Sequence, residues 1–154
     1  MSISIRFEDD GTLHKDLFVA LGGMERRCDT YYFAIDREME PDREDVGKVR
    51  RVLTRLLEQW IDALRNQRKR QVLFLPFDFS DQCTGCFECR RTGDAVQIRM
   101  GWSNREGWSF CPSDISDYVR SVRDFEPYEN HPTPFARDVL IRSIEQCMQA
   151  IAGQ

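Results

Sequence analysis

The sequence predicts an α+β fold: one domain over 1-154, with a mostly antiparallel sheet of about five to six strands. One long helix and a C-terminal helix are expected to pack on one face of that sheet. Three observations predict it. The first residues alternate apolar and polar, a segment from 46 to 64 repeats its apolar residues at helical spacing, and two turn signals near 93 and 105 separate short β-rich runs. At 154 residues the chain is long enough to bury roughly two thirds of the surface its unfolded form exposes.

Taken in order, Ile3, Ile5 and Phe7 share one face and Ser4, Arg6 and Glu8 the other, a half-buried strand closed by Asp9, Asp10 and Gly11. Leu17 to Leu21 reads as its hairpin partner, although Leu13, Leu17, Phe18 and Leu21 also fit helical spacing with Gly22-Gly23 as a stop. Tyr31, Tyr32, Phe33, Ala34 and Ile35 are rich in aromatic and β-branched types and predict a further strand. Val46, Val49, Leu53, Leu56, Leu57, Trp60 and Leu64 mark the stripe of the long helix, opened after Pro41 by acids and followed by Arg65, Arg68, Lys69 and Arg70. That charge order opposes the helix dipole, which accounts for the basic cluster without a binding role.

Residues 71–79 predict a strand inside the sheet and buried on both sides, with Leu73, Leu75, Phe77 and Phe79 on one face and Val72 and Phe74 on the other. Pro76 cannot donate to a ladder, so a bulge or a local edge is expected there. Residues 87–91 and 95–102 flank Thr92, Gly93 and Asp94 as a hairpin, and a turn at 103–107 leads toward Cys111 as a meander. Ser113 is expected to cap a short helix to Phe125, ended by Glu126-Pro127. Thr133 as cap and Pro134 as first residue open the last helix, whose inner face carries Phe135, Val139, Leu140, Ile144, Cys147, Met148 and Ile151.

Composition narrows the function classes. The net charge of -4 and a pI near 5.3 lack the basic footprint of a nucleic-acid binder. Arginine outnumbers lysine 19 to 3, yet clusters only mildly, at Arg50-Arg51 with Arg55, at 65–70 and at Arg90-Arg91. The mean hydropathy of -0.55 argues against a membrane protein. Residues 1–8 show no basic or apolar leader pattern, so the expected compartment is the cytoplasm of a bacterial-type cell. There the six cysteines are expected as reduced thiols or ligands rather than as three bridges.

Cys83, Cys86 and Cys89, with Cys111 further on, form the densest chemical motif. Thiolates at C-x2-C spacing can turn back onto one ion, and His131 could replace one of the four. The strong zinc pattern repeats the knuckle, and here its second half is a single cysteine. An iron-sulfur pattern would want its fourth cysteine where Gly93 stands. Strand geometry opposes convergence, because an extended segment sends Cys86 and Cys89 to opposite faces unless 84–87 turns. No cofactor is therefore expected unless this cluster takes zinc.

Other residues bear on function. His14 and His131 are the two histidines, and Asp78 and Asp81 mark a strand end where a carboxylate pair could act. No phosphate-binding glycine loop, G-x-S-x-G elbow or H-E-x-x-H motif is present. Asp36, Glu38, Glu40, Asp42, Glu44 and Asp45 form an acidic strip suited to a basic partner, and Trp102 and Trp108, in matched Gly-Trp-Ser triplets, could anchor an interface. The expectation is a non-enzymatic protein-binding module of inhibitor or immunity type, acting on a basic protein, with no nucleic acid and no membrane. A zinc-stabilised domain and a small hydrolase with acidic residues at a sheet end are the alternatives.

Overall fold

The computed structural model describes residues 2–154 and is α+β. The alternating start forms β1 (Ile3–Phe7), antiparallel to β2 (Leu17–Leu21), so the strand reading of Leu17 to Leu21 holds over the helical one. The tight hairpin is not at Asp10-Gly11. It lies at Gly22-Gly23, where Gly22 takes φ 59° and β2 turns directly into β3 (Met24–Cys28). That third strand leaves no alternating signature, since only its ends are even partly covered.

Residues 31–35 form a helical turn, α1 (Tyr31–Ala34), not a strand. Five residues carry too little period to separate the two, and packing decides: the turn buries Phe33 and Ala34 while bonding Phe33 N–H and Ala34 N–H back to the Thr30 carbonyl. A single 3₁₀ turn, Val46–Lys48, then leads into α2 (Val49–Arg65), which buries eight residues from Val49 to Leu64.

Two sheets replace the one expected. The first holds β1, β2 and β3; the second runs β4 (Val72–Phe79), β5 (Thr84–Thr92) and β6 (Ala95–Ser103). Beyond β6 the outer edge is shared by two short strands, β7 (Glu126–Pro127) and β8 (Thr133–Ala136). β4 is buried on both faces but pairs only with β5, so it is an edge rather than an inner strand, and its register shifts between Pro76 and Asp78. The bulge has a use: the Pro76 carbonyl accepts the indole N–H of buried Trp60 at 3.2 Å.

The predicted helix from Ser113 shrinks to α3 (Tyr118–Ser121), and α4 starts at Arg137 (Arg137–Ala152) because Thr133 and Pro134 pair with β6 instead. An edge strand tolerates proline there, where no ladder N–H is needed. α4 packs against α2 and β1, burying Leu140, Ile141, Ile144 and Ile151, while Val139 faces solvent. One core unites both sheets with α2 and α4. A smaller cluster of Phe74, Cys86 and Tyr118 lies on the other face of the second sheet. Among the described residues no helix is long and apolar enough to cross a membrane.

Candidate functional site

The chain after β1 does not turn cheaply. Asp9 and Asp10 accept backbone N–H bonds from Gly11 and Thr12, and the Thr12 hydroxyl and N–H hold the Asp10 carboxyl below its ordinary pKa. Leu13 and Lys15 then adopt φ of 64° and 52°, a left-handed region that costs a side-chain-bearing residue about 1 kcal/mol or more. Such strain persists only where the surroundings over-determine it, and it clusters at functional sites. Here the bonds are explicit. The Leu13 carbonyl accepts from Thr30 N–H at 3.0 Å, Lys15 N–H donates to Asp29 Oδ1 at 2.8 Å, and the Thr30 hydroxyl bonds the buried Asp16 carboxylate at 2.9 Å. The residue held between the two strained positions is His14, its Nδ1 3.7 Å from Asp29 Oδ2.

His14 and Asp29 form one wall of a recess of about 480 Å³, completed by Tyr31, Tyr32, Asp81 and Cys83. The Tyr31 and Tyr32 rings meet edge to face at 5.4 Å. The Tyr32 hydroxyl donates to Asp81, and that bond pushes the phenol up to about 12. Ser80 Oγ donates to the Cys83 carbonyl at 2.8 Å and stands 3.4 Å from Cys83 Sγ.

A second, smaller recess of about 190 Å³ shares Tyr32 and continues past Arg37 to Trp108 and Phe110. Residues 103–111, expected to complete a meander, leave β6 after Ser103 as an irregular loop docked on the end of β4. Gly107 N–H donates to the Ser80 carbonyl at 2.7 Å, Thr84 Oγ1 to the Arg105 carbonyl at 2.7 Å, and the Arg105 guanidinium to Asp117 at 2.7 Å. Phe110 stacks flat on buried Tyr118 at 4.8 Å. The loop is anchored at several points, and its one large apolar side chain in solvent, Trp108, is 56% exposed. Trp102, by contrast, is half buried on β6.

The cysteines part ways. Residues 84–87 are strand, not the turn that convergence requires, so Cys86 and Cys89 face opposite sides of β5: Cys86 lies in the cluster with Tyr118, Cys89 in the main core. Cys83 lines the first recess and Cys111 the second, while His131 is exposed on a loop. Burial pushes the Cys86 thiol up to about 12 and raises Cys89 and Cys28 as well, which disfavours the thiolate a metal or a redox partner needs. Among the described residues no group of three or more His, Cys, Asp or Glu side chains could hold a metal ion.

The acidic strip is likewise divided. Asp36 is buried, its carboxylate accepting from Ser113 N–H at 2.9 Å and Ser113 Oγ at 2.8 Å, and Asp45 caps the 3₁₀ turn through Gly47 N–H. Both serve the fold. Glu38, Glu40, Asp42 and Glu44 remain exposed.

Asp81 lines the first recess, whereas Asp78 is turned into the seam between β3 and β4, with Arg26 and Asp29 as its charged neighbours. Desolvation outweighs the attraction of Arg26 and pushes Asp78 up to about 6. A carboxyl raised in the fold favours the protonated state, so its contribution to stability is greatest below the unfolded value near 4 and is lost as pH rises through 6. Asp78→Asn is expected to stabilise the protein by about 2 kcal/mol at pH 7.5 and by less than about 0.5 kcal/mol at pH 3.5. Urea titrations at the two pH values check this, and equal effects at both would contradict it.

His14, Asp81, Cys83 and Trp108 stand out in the sequence. Asp29, Tyr31, Tyr32 and Ser80 carry no motif, and the strain at Leu13 and Lys15 has no pattern to betray it. No family model matches the chain, and no curated protein and no solved structure matches it.

Proposed function

We propose that the protein works by binding another protein, basic at its contact face, through the aromatic face centred on Tyr32. The observation behind this reading is the pairing of Trp108, 56% exposed, with Tyr31, 36% exposed, on either side of a residue that lines both recesses. Tryptophan and tyrosine are the types that dominate interface energetics, and a truncated anchor typically costs a complex about 2 kcal/mol or more. The carboxylates of Asp29 and Asp81 lie in the first recess, and Glu38 and Glu40 are exposed on the segment that follows Arg37. Their charge favours a partner that presents lysine or arginine, as the target of an inhibitor or immunity-type protein can. The full chain, tagged and recovered from its own host, should carry a basic protein at one-to-one stoichiometry. Recovery as a solitary monomer in high yield is the result against it.

A second reading, a small hydrolase at the same sheet end, has the strained presentation of His14 beside Asp29, Asp81 and Cys83 in its favour. Turnover of nitrophenyl esters that falls about tenfold or more in His14→Ala supports it. Rates equal to buffer across the ester panel remove it.

A further inference from the structure

A third recess, of about 470 Å³, lies beside the first three turns of α2 and shares no lining residue with the aromatic face. Arg50, Arg51, Arg55 and Glu58 line it, with Met39 and Ala152 supplying apolar surface. Three guanidinium groups face the Glu58 carboxylate in the lining and the Asp9 carboxylate beside Arg50, a local surplus of one positive charge (3 − 2), in a chain whose net charge is -4.

The fold does little to hold these arginines. Arg55 reaches Glu58 only at 3.6 Å, with both side chains about half exposed, and the Asp9 carboxylate lies 3.9 Å from Arg50. Arg51 donates to the Glu40 carbonyl at 3.0 Å, a single bond that leaves most of its donors free. The Nε–H of Arg50 is buried and finds no acceptor among the described residues. Arg51 and Arg55 are one turn apart on the same helix face, where like charges repel. The uncompensated repulsion between the arginines disfavours this arrangement, and one anion bound in the recess relieves it.

We propose that this recess binds a small organic phosphate, its phosphate held by Arg50, Arg51 and Arg55 and its organic body against Met39 and Ala152. A phosphomonoester carries a charge of about −1.5 to −2 near pH 7, and its oxygens accept the paired N–H groups of a guanidinium fork, of which the recess offers three. Glu58 limits affinity by competing for Arg55. The proposal does not depend on the protein-binding reading, since the two sites have no residue in common.

The test is titration of the isotopically labelled full chain, followed by NMR of the arginine Nε–H and α2 amide signals, with phenyl phosphate, inorganic phosphate and benzoate. Phenyl phosphate is expected to bind about tenfold tighter than either inorganic phosphate or benzoate. The double variant Arg51→Gln/Arg55→Gln should weaken it about tenfold or more, and Glu58→Gln should strengthen it about threefold, with circular dichroism of each variant unchanged. Three results overturn the proposal. These are no α2 shifts at roughly 10 mM phenyl phosphate, inorganic phosphate bound as tightly as the phenyl ester, or affinity unaltered in the double variant.

Discussion

Gly107→Ala is expected to lower stability by about 3 kcal/mol and to displace Trp108 with its loop. A Cβ at this position would stand 2.3 Å from Ser80 N and 2.7 Å from two backbone atoms of Phe79, so no side-chain rotation relieves the contact. The loop must lift from the end of β4, and the bond from Gly107 N–H to the Ser80 carbonyl is lost with it. For a chain of this length, about 3 kcal/mol corresponds to a drop in Tm of roughly 10 °C. Gly23→Ala provides the comparison, because a Cβ there meets nothing within 4 Å. A melting temperature for Gly107→Ala within a degree or two of the parent would contradict the docking of this loop.

Lys48→Ala is expected to cost about 4 kcal/mol, measured by urea unfolding. Lys48 is wholly buried, and its ammonium donates to the backbone carbonyls of Asp36 and Pro41 rather than to a carboxylate. Truncation removes the packed stem and orphans both carbonyls. Those carbonyls bracket residues 36–41, the first part of the acidic strip, so the amides there should also exchange with solvent faster in the variant. Lys48→Met keeps the volume and loses only the donors, and should cost about half as much. A loss below about 1 kcal/mol in Lys48→Ala would show that the ammonium is not what orders this segment.

The elements legible in the sequence are those where one residue period dominates. β1, the two-faced burial of β4, the β5–β6 hairpin at Gly93-Asp94 and the stripe of α2 all follow from spacing alone. Where several physical preferences compete over a few residues, tertiary contacts decide. Tyr31 to Ala34 became helical by burying Phe33 and Ala34, and Thr133-Pro134 became an edge strand despite a sound helix-start signal. Cys86 and Cys89 lie on opposite faces, as alternation along an extended segment requires, because 84–87 is strand. The face around Tyr32 was the least legible part. It is assembled from 14, 29–37, 79–83 and 108–112, segments far apart in sequence, and the backbone strain that presents His14 leaves no mark on residue type.

The measurement that bears most directly on the protein-binding account is the affinity of the Trp108→Ala variant for the copurifying partner, by calorimetry beside the parent and Val139→Ala. Val139 is also exposed, at 46%, but lies on α4 and lines neither recess. At least about 30-fold weaker binding is expected for Trp108→Ala and a change within about twofold for Val139→Ala, with the unfolding midpoints of both unchanged. Equal affinity in the parent and Trp108→Ala would contradict it.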